Sequence, residues 1–270
     1  MVFPDSPRVI YGRNTLTEVL VDLRFPPVLR IEAEPPVSFQ EAIRFDFPNY
    51  RFEPAKPFFP PNFPPQLVQM IETSQARRKE GGKHQFVSLD EKWTVNLLRG
   101  AIELRTTAYR SWEEFRGRLT QILAAFEAAY PPVNYTRVGL RYFCLIKRSV
   151  LELTDVPWKE LLKPWISGTL SAPGLSEKID SMSGQTHCAL DRENHFLVLK
   201  TGMTIPDAAT HEKCFLMDCD FHTHHPTENA HVLGTLDEFN RCSGRLFRYS
   251  IEQRLHDAME PRPVVEVAKA

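Results

Sequence analysis

Residues 135–147, YTRVGLRYFCLIK, constrain the fold more than any other stretch. Val138, Leu140, Tyr142, Cys144 and Ile146 place an apolar side chain at every second position. The odd positions begin polar, with Arg137, Gly139 and Arg141, and turn apolar at Phe143 and Leu145. A strand sends successive side chains to opposite faces, so a period of two over this length predicts a strand and excludes an amphipathic helix. One face is buried throughout, and the other is polar at its start. Such a strand needs paired neighbours and a covering layer, so the rest of the chain must supply both.

The flanking sequence does so. TLTEVLVDLRFPPVLRI at 15–31 alternates in the same way, with Glu18, Asp22 and Arg24 on its polar face and Pro26-Pro27 as its end. Residues 37–47 predict a short helix carrying Phe39, Ile43 and Phe47, with Ser38 as its cap and Glu41 completing a capping box. Half of the 22 prolines fall between residues 26 and 65. The segment RFEPAKPFFPPNFPP at 51–65 is therefore predicted to be extended and stiff, near polyproline II. Its phenylalanines, Phe58, Phe59 and Phe63 among them, either plug the core or form an arm that docks a partner. A helix is predicted over 67–79, then strands over 84–89, 93–98 and 101–107 as an antiparallel meander. Ser111-Trp112-Glu113-Glu114 is a capping box that opens a long helix to Tyr130, stopped by Pro131-Pro132. After the organising strand come a short helix at 157–166 and strands over 186–190, 195–203 and 213–223. Thr235-Leu236-Asp237-Glu238 then opens a second long helix running to 259, and the tail beyond it is expected to fray, as is the arm before residue 14.

Three strands, a capping box followed by phenylalanine, and a long helix thus occur twice. The order predicts an α+β fold of antiparallel sheets with two long helices and an internal duplication, ferredoxin-like or similar. The halves would be 1–150 and 151–270, or one continuous domain.

Composition narrows the function classes. Lysine and arginine number 33 against 34 acidic residues, a net charge of −1. That balance lacks the basic footprint of a general nucleic-acid binder, and leaves open only a local patch. No apolar run reaches the ~18 residues of a membrane span. The start, MVFPDSPRVIYG, has neither a basic nor an apolar leader region, so no signal peptide is predicted and a cytoplasmic location is expected. The five cysteines are scattered without a CxxC pair, which points to reduced thiols. No P-loop, G-x-G-x-x-G, G-x-S-x-G or H-E-x-x-H motif occurs, and no cofactor is implied.

Two constellations could carry chemistry. Asp218, Asp220, His222 and His224 share one face of the 213–223 strand, while Phe215, Met217, Cys219 and Phe221 fill the other. Carboxylate and imidazole on one face suit zinc or another divalent ion, with His211 or His231 arriving from a loop. Same-face neighbours lie ~7 Å apart, however, so one strand rarely supplies more than two ligands, and a solvated face running into a polar loop is the favoured reading. Arg137 and Arg141 could hold a phosphate or a partner carboxylate. The alternative is structural pairing with Glu18 and Asp22 on the strand with the matching polar face.

TLTEVLVDLRFPPVLRI, Tyr109-x-x-Trp112-x-x-Phe115, YTRVGLRY at 135–142 and FLMDCDF at 215–221 together resemble a sporadically distributed family of uncharacterised bacterial proteins. The resemblance spans nearly the whole chain and carries no catalytic residue with it. The family's patchy distribution implies genes that move horizontally, as defence and toxin-neutralising modules do. The long Phe/Pro segment and the histidines after Phe221 depart from the family pattern. The expectation is a protein that binds another protein through Phe58, Phe59, Phe63, Arg137 and Arg141, rather than an enzyme. Its alternatives are an RNA-binding or RNA-processing protein and a metal-dependent enzyme, and a dimer is compatible with each.

Overall fold

The computed structural model describes residues 2–54, 82–206 and 209–264. A first short strand, β1 (Val9–Tyr11), stands apart from the main sheet. Nine strands follow in chain order: β2 (Leu16–Arg24), β3 (Asn49–Pro54), β4 (Gly82–Val87), β5 (Trp93–Leu98), β6 (Ala101–Thr106), β7 (Arg137–Ile146), β8 (Ser183–Ala189), β9 (His195–Thr204) and β10 (Cys214–Thr223). They form one antiparallel sheet in the order β3-β4-β5-β6-β2-β7-β10-β9-β8. The organising strand β7 pairs with β2 on one side and β10 on the other, near the middle of the sheet.

The helices are α1 (Arg30–Ala33), α2 (Val37–Ile43), α3 (Trp112–Ala129), α4 (Pro164–Ser167), α5 (Val232–Ser250) and α6 (Gln253–Ala258). The two long ones, α3 and α5, lie against the buried face of the sheet. Phe115 of α3 packs on Trp93, and Phe239 of α5 packs on Phe221. The even residues of β7 are all buried beneath this layer, with Val138, Leu140 and Ile146 fully so. The shorter α2 joins the same layer through Phe39 against Phe86. One apolar core runs through both ends of the sheet, from Phe39 to Phe215. Alternation explains this layout: a sheet whose strands read apolar and polar by turns has one face to cover, and every long helix here carries one apolar stripe.

The strand order repeats about the β2–β7 pair. On one side β2 meets the meander β6-β5-β4, and on the other β7 meets β10-β9-β8. Each half runs strand, short helical segments, meander, long helix, which differs from the βαββαβ order of a ferredoxin-like half.

One local expectation is met and several are corrected. Ser111 does cap α3, accepting from the Glu114 N–H at 3.3 Å. Ser38 does not cap α2, whose N-cap is Pro36. Thr235 does not open α5. That helix begins at Val232, because Val232 and Leu236, one turn apart, are both drawn into the core. It also stops at Ser250: Ile251 is extended and bridges Leu162, and α6 follows as a separate turn. The tail does not fray at once, since β11 (Pro261–Pro263) pairs with β1 and so ties down the N-terminal arm as well. Residues 49–54 form an edge strand, where a terminal proline is tolerated. Phe58, Phe59, Phe63 and the helix expected over 67–79 lie outside the described residues.

Candidate functional site

The second face of the sheet carries no helix among the described residues. Its centre is built by the odd residues of β7 and their register partners. Gly139 stands beside Asp22 of β2 and His222 of β10, and Arg141 stands beside Leu20 and Asp220. Phe143 stands beside Glu18 and Asp218, and Leu145 beside Leu216.

Arg137 lies flat along its own strand. A Cβ placed on Gly139 would come within 2.0 Å of the Arg137 guanidinium, so glycine is the space that the arginine occupies. From there Nη1 donates to Asp22 Oδ2 at 2.6 Å, and Nη2 donates to Asp220 Oδ1 and Oδ2 at 2.7 and 2.9 Å. One guanidinium thus bridges carboxylates from the strands on either side. The pairing is three-quarters or more buried for Arg137, Asp22 and Asp220. Arg24 adds a further contact to Asp22 at 3.1 Å.

Arg141 makes a two-point contact with Asp218, Nε to Oδ1 at 2.6 Å and Nη2 to Oδ2 at 2.5 Å, a geometry suited to a planar fork. The Asp218 bond raises the Arg141 pKa above its ordinary value. The same guanidinium lies over the Phe143 ring, 4.4 Å from its centroid. Farther out, Arg105 pairs with Glu18 at 2.9 Å, and Asn96 donates to Glu103 at 2.8 Å. Structural pairing expected with Asp22 is therefore present at Arg137, but Arg141 turns to Asp218, and Glu18 is taken by Arg105.

Between the charges lie half-buried apolar side chains. Leu20, Phe143, Leu145, Phe196, Val198 and Leu216 all belong to this face, and none of them joins the core on the other side. The face is a mosaic of apolar surface and arginines whose charges are already balanced.

Asp218, Asp220 and His222 share one face of β10, and His224 lies just past the strand's last residue, Thr223. Both carboxylates are held by arginines. His222 Nδ1 lies 3.2 Å from the Asp220 carbonyl and its Nε2 lies 3.2 Å from His224 Nε2. Burial lowers the His222 pKa, with Asp220 opposing it. Among the described residues no group of three or more histidine, cysteine, aspartate or glutamate side chains is arranged to hold a metal ion.

Four of the five thiols are chemically quiet. Cys144, Cys214, Cys219 and Cys242 are buried, and burial pushes each of their pKa values up, Cys144 to about 12. A thiol is nucleophilic as its thiolate, so these four are poorly suited to attack a substrate.

The Arg137–Gly139 contact, and the pairing of the two arginines with Asp220 and Asp218 of β10, are what sequence reasoning missed, those carboxylates having been read as metal ligands. The signal for both was present: a glycine between two same-face arginines, and an Asp-x-Asp of matching period in β10. No helix among the described residues is long and apolar enough to cross a membrane. No family model matches the chain, and no curated protein matches it either.

Proposed function

We propose that this protein acts by binding another protein through the open face of its sheet, around β2, β7 and β10, and not by catalysis. The observation that carries this reading is the mosaic itself: Phe143, Leu20, Leu145 and Leu216 lie between arginines on a face without a helix among the described residues. Protein interfaces favour this mix of aromatic, aliphatic and arginine surface, and charges paired in advance lose little on desolvation. RNA is the second reading. It is less supported, because Arg137 and Arg141 already answer Asp22, Asp218 and Asp220 and leave little unbalanced positive charge for phosphates. A metal-dependent activity at Asp218 and Asp220 would first have to break both arginine contacts. The shared strand order about β2 and β7 supports reading the two halves as a duplication, with the proposed surface at their junction. The defence or toxin-neutralising role implied by the family resemblance would make the partner a toxin or another component of such a module.

The test is affinity purification of the full chain from its native host at endogenous level, with and without ribonuclease, alongside a Phe143→Glu variant of unchanged circular dichroism. A stoichiometric protein that survives ribonuclease and is lost with Phe143→Glu is the expected result. Retention of that protein by the variant would overturn the assignment to this face. Stoichiometric RNA, with partners lost on ribonuclease treatment, would replace the protein reading with the RNA one.

A further inference from the structure

The opposite side of the sheet holds a cavity of about 360 Å³, within the size range of small-molecule sites. Its floor is Tyr142 and Cys144 of β7 with Met217 and Cys219 of β10, all buried. Its walls are Tyr109 in the loop before α3, Trp112 at the start of α3, and Asn240, Ser243, Gly244 and Phe247 on one stripe of α5. The N-terminal arm and β1 roof it. The arm is fastened by Arg8 to Glu113 at 2.6 Å, by Asp5 to Arg245 at 2.5 Å, and by Phe3, which is buried.

Charge is distributed unevenly around this space. Five arginines line it, Arg8, Arg110, Arg241, Arg245 and Arg248, and no aspartate or glutamate does. The chain as a whole carries 33 cationic and 34 acidic residues, so this is a local excess. Burial orients it: Arg8, Arg110 and Arg241 are exposed at the mouth, and the floor is buried. Arg110 and Arg241 have no carboxylate partner among the described residues.

The helix wall is cut back beside the space. Glycine within a helix is less favourable than alanine. Steric crowding does not account for Gly244, since a Cβ there would meet no heavy atom within 4 Å. With Ser243 it leaves volume open between α5 and the arm. The polar groups on the floor and walls are largely satisfied internally, Tyr142 donating to Asn240 Oδ1 at 2.9 Å and Thr15 Oγ1 meeting Cys144 Sγ at 3.0 Å. The Tyr109 and Tyr142 rings stand perpendicular, so they frame no parallel slot for a planar ring. An unbranched chain fits such an irregular, mostly apolar interior better than an aromatic plate.

We infer that this cavity binds an amphipathic anion: an acyl or alkyl chain lying against Tyr142, Cys144 and Cys219, with its anionic head among the arginines of the mouth. The site lies on the opposite face from the proposed docking surface, so the two fail independently. Titration of the full chain with decanoate and with decyl phosphate, at concentrations below micelle formation, tests it. The readouts are thermal midpoint and tryptophan fluorescence, Trp112 being part of the wall. Saturable binding of at least one of these, with none of decyltrimethylammonium or inorganic phosphate, is expected; which one binds identifies the head group. Arg110→Glu with Arg241→Glu should weaken binding about tenfold or more, as loss of charge-assisted contacts does. Gly244→Leu should fill the space and abolish binding at an unchanged or raised thermal midpoint. Failure of both anions, equal binding of the cationic analogue, or full affinity in the charge-reversed variant would overturn the inference.

Discussion

Gly139 and Arg137 act as one unit. The arginine reaches Asp22 and Asp220 only by crossing the position where a Cβ of residue 139 would stand, 2.0 Å from Nη1. Gly139→Ala should therefore displace Arg137 and leave two largely buried carboxylates short of a partner, a loss of about 2–3 kcal/mol. In an Arg137→Ala background the same change should cost little, because the clash is gone. Urea denaturation of the four proteins measures the coupling, and strictly additive effects would refute it. His195 is a second residue with a definite expectation. It packs edge-on to Phe239, its Nδ1 makes no hydrogen bond, and burial lowers its pKa from 6.5 against the opposing pull of Glu238, with Arg192 adding to the lowering. The unfolded chain then binds a proton that the native imidazole refuses. The stability it contributes is complete above pH 6.5 and is lost as pH falls through and below that value, with a slope of up to about 1.4 kcal/mol per pH unit. His195→Phe should make the fall in stability between pH 7 and pH 5 shallower, and an unchanged slope would show that this imidazole does not titrate differently on folding.

At the scale of elements, α3 and α5 are joined by Asp237. Its Oδ1 accepts from Trp112 Nε1 at 2.7 Å and from Arg116 Nε at 2.8 Å. Trp112 is buried, so loss of its acceptor leaves an unsatisfied indole N–H, whereas the Arg116 contact is well exposed and screened. Asp237→Ala should cost about 1–2 kcal/mol, and Arg116→Ala under about 0.5 kcal/mol. Equal costs in thermal or urea unfolding would place the joint in the ion pair instead. The same helix, α5, begins a turn ahead of its apparent capping box. A T-x-x-E sequence is a cap only if its threonine lies outside the helix, and Thr235 is 3% exposed inside it, carried there by Val232.

The whole molecule is held together at the β2–β7 pair. These strands come from the two halves of the repeated order, yet the sheet and the core pass through them without a break. Division there would strip a central strand of its partner on each side. Unfolding should accordingly be a single transition, coincident by circular dichroism and tryptophan fluorescence, although chains of this size often show more than one. Two separated transitions would show that the halves fold as independent units.

Alternation along 135–147 and 15–24 was sufficient to place β2 and β7, to assign their buried faces, and to make Arg137 and Arg141 neighbours on the other face. Periodicity is a local property, and the apolar faces it marked are the buried ones. The meander strands and the capped start of α3 were legible for the same reason, since turns and caps are made by residues close in sequence. What the tertiary structure decided is pairing. That β10 lies beside β7, so that Asp218 meets Arg141 and Asp220 shares Arg137 with Asp22, depends on contacts 77 to 115 residues apart. The arginine-rimmed cavity depends likewise on the N-terminal arm meeting the C-terminal strand. No pattern within one segment encodes which distant segment will lie beside it, because that choice is made by the packing of the whole core.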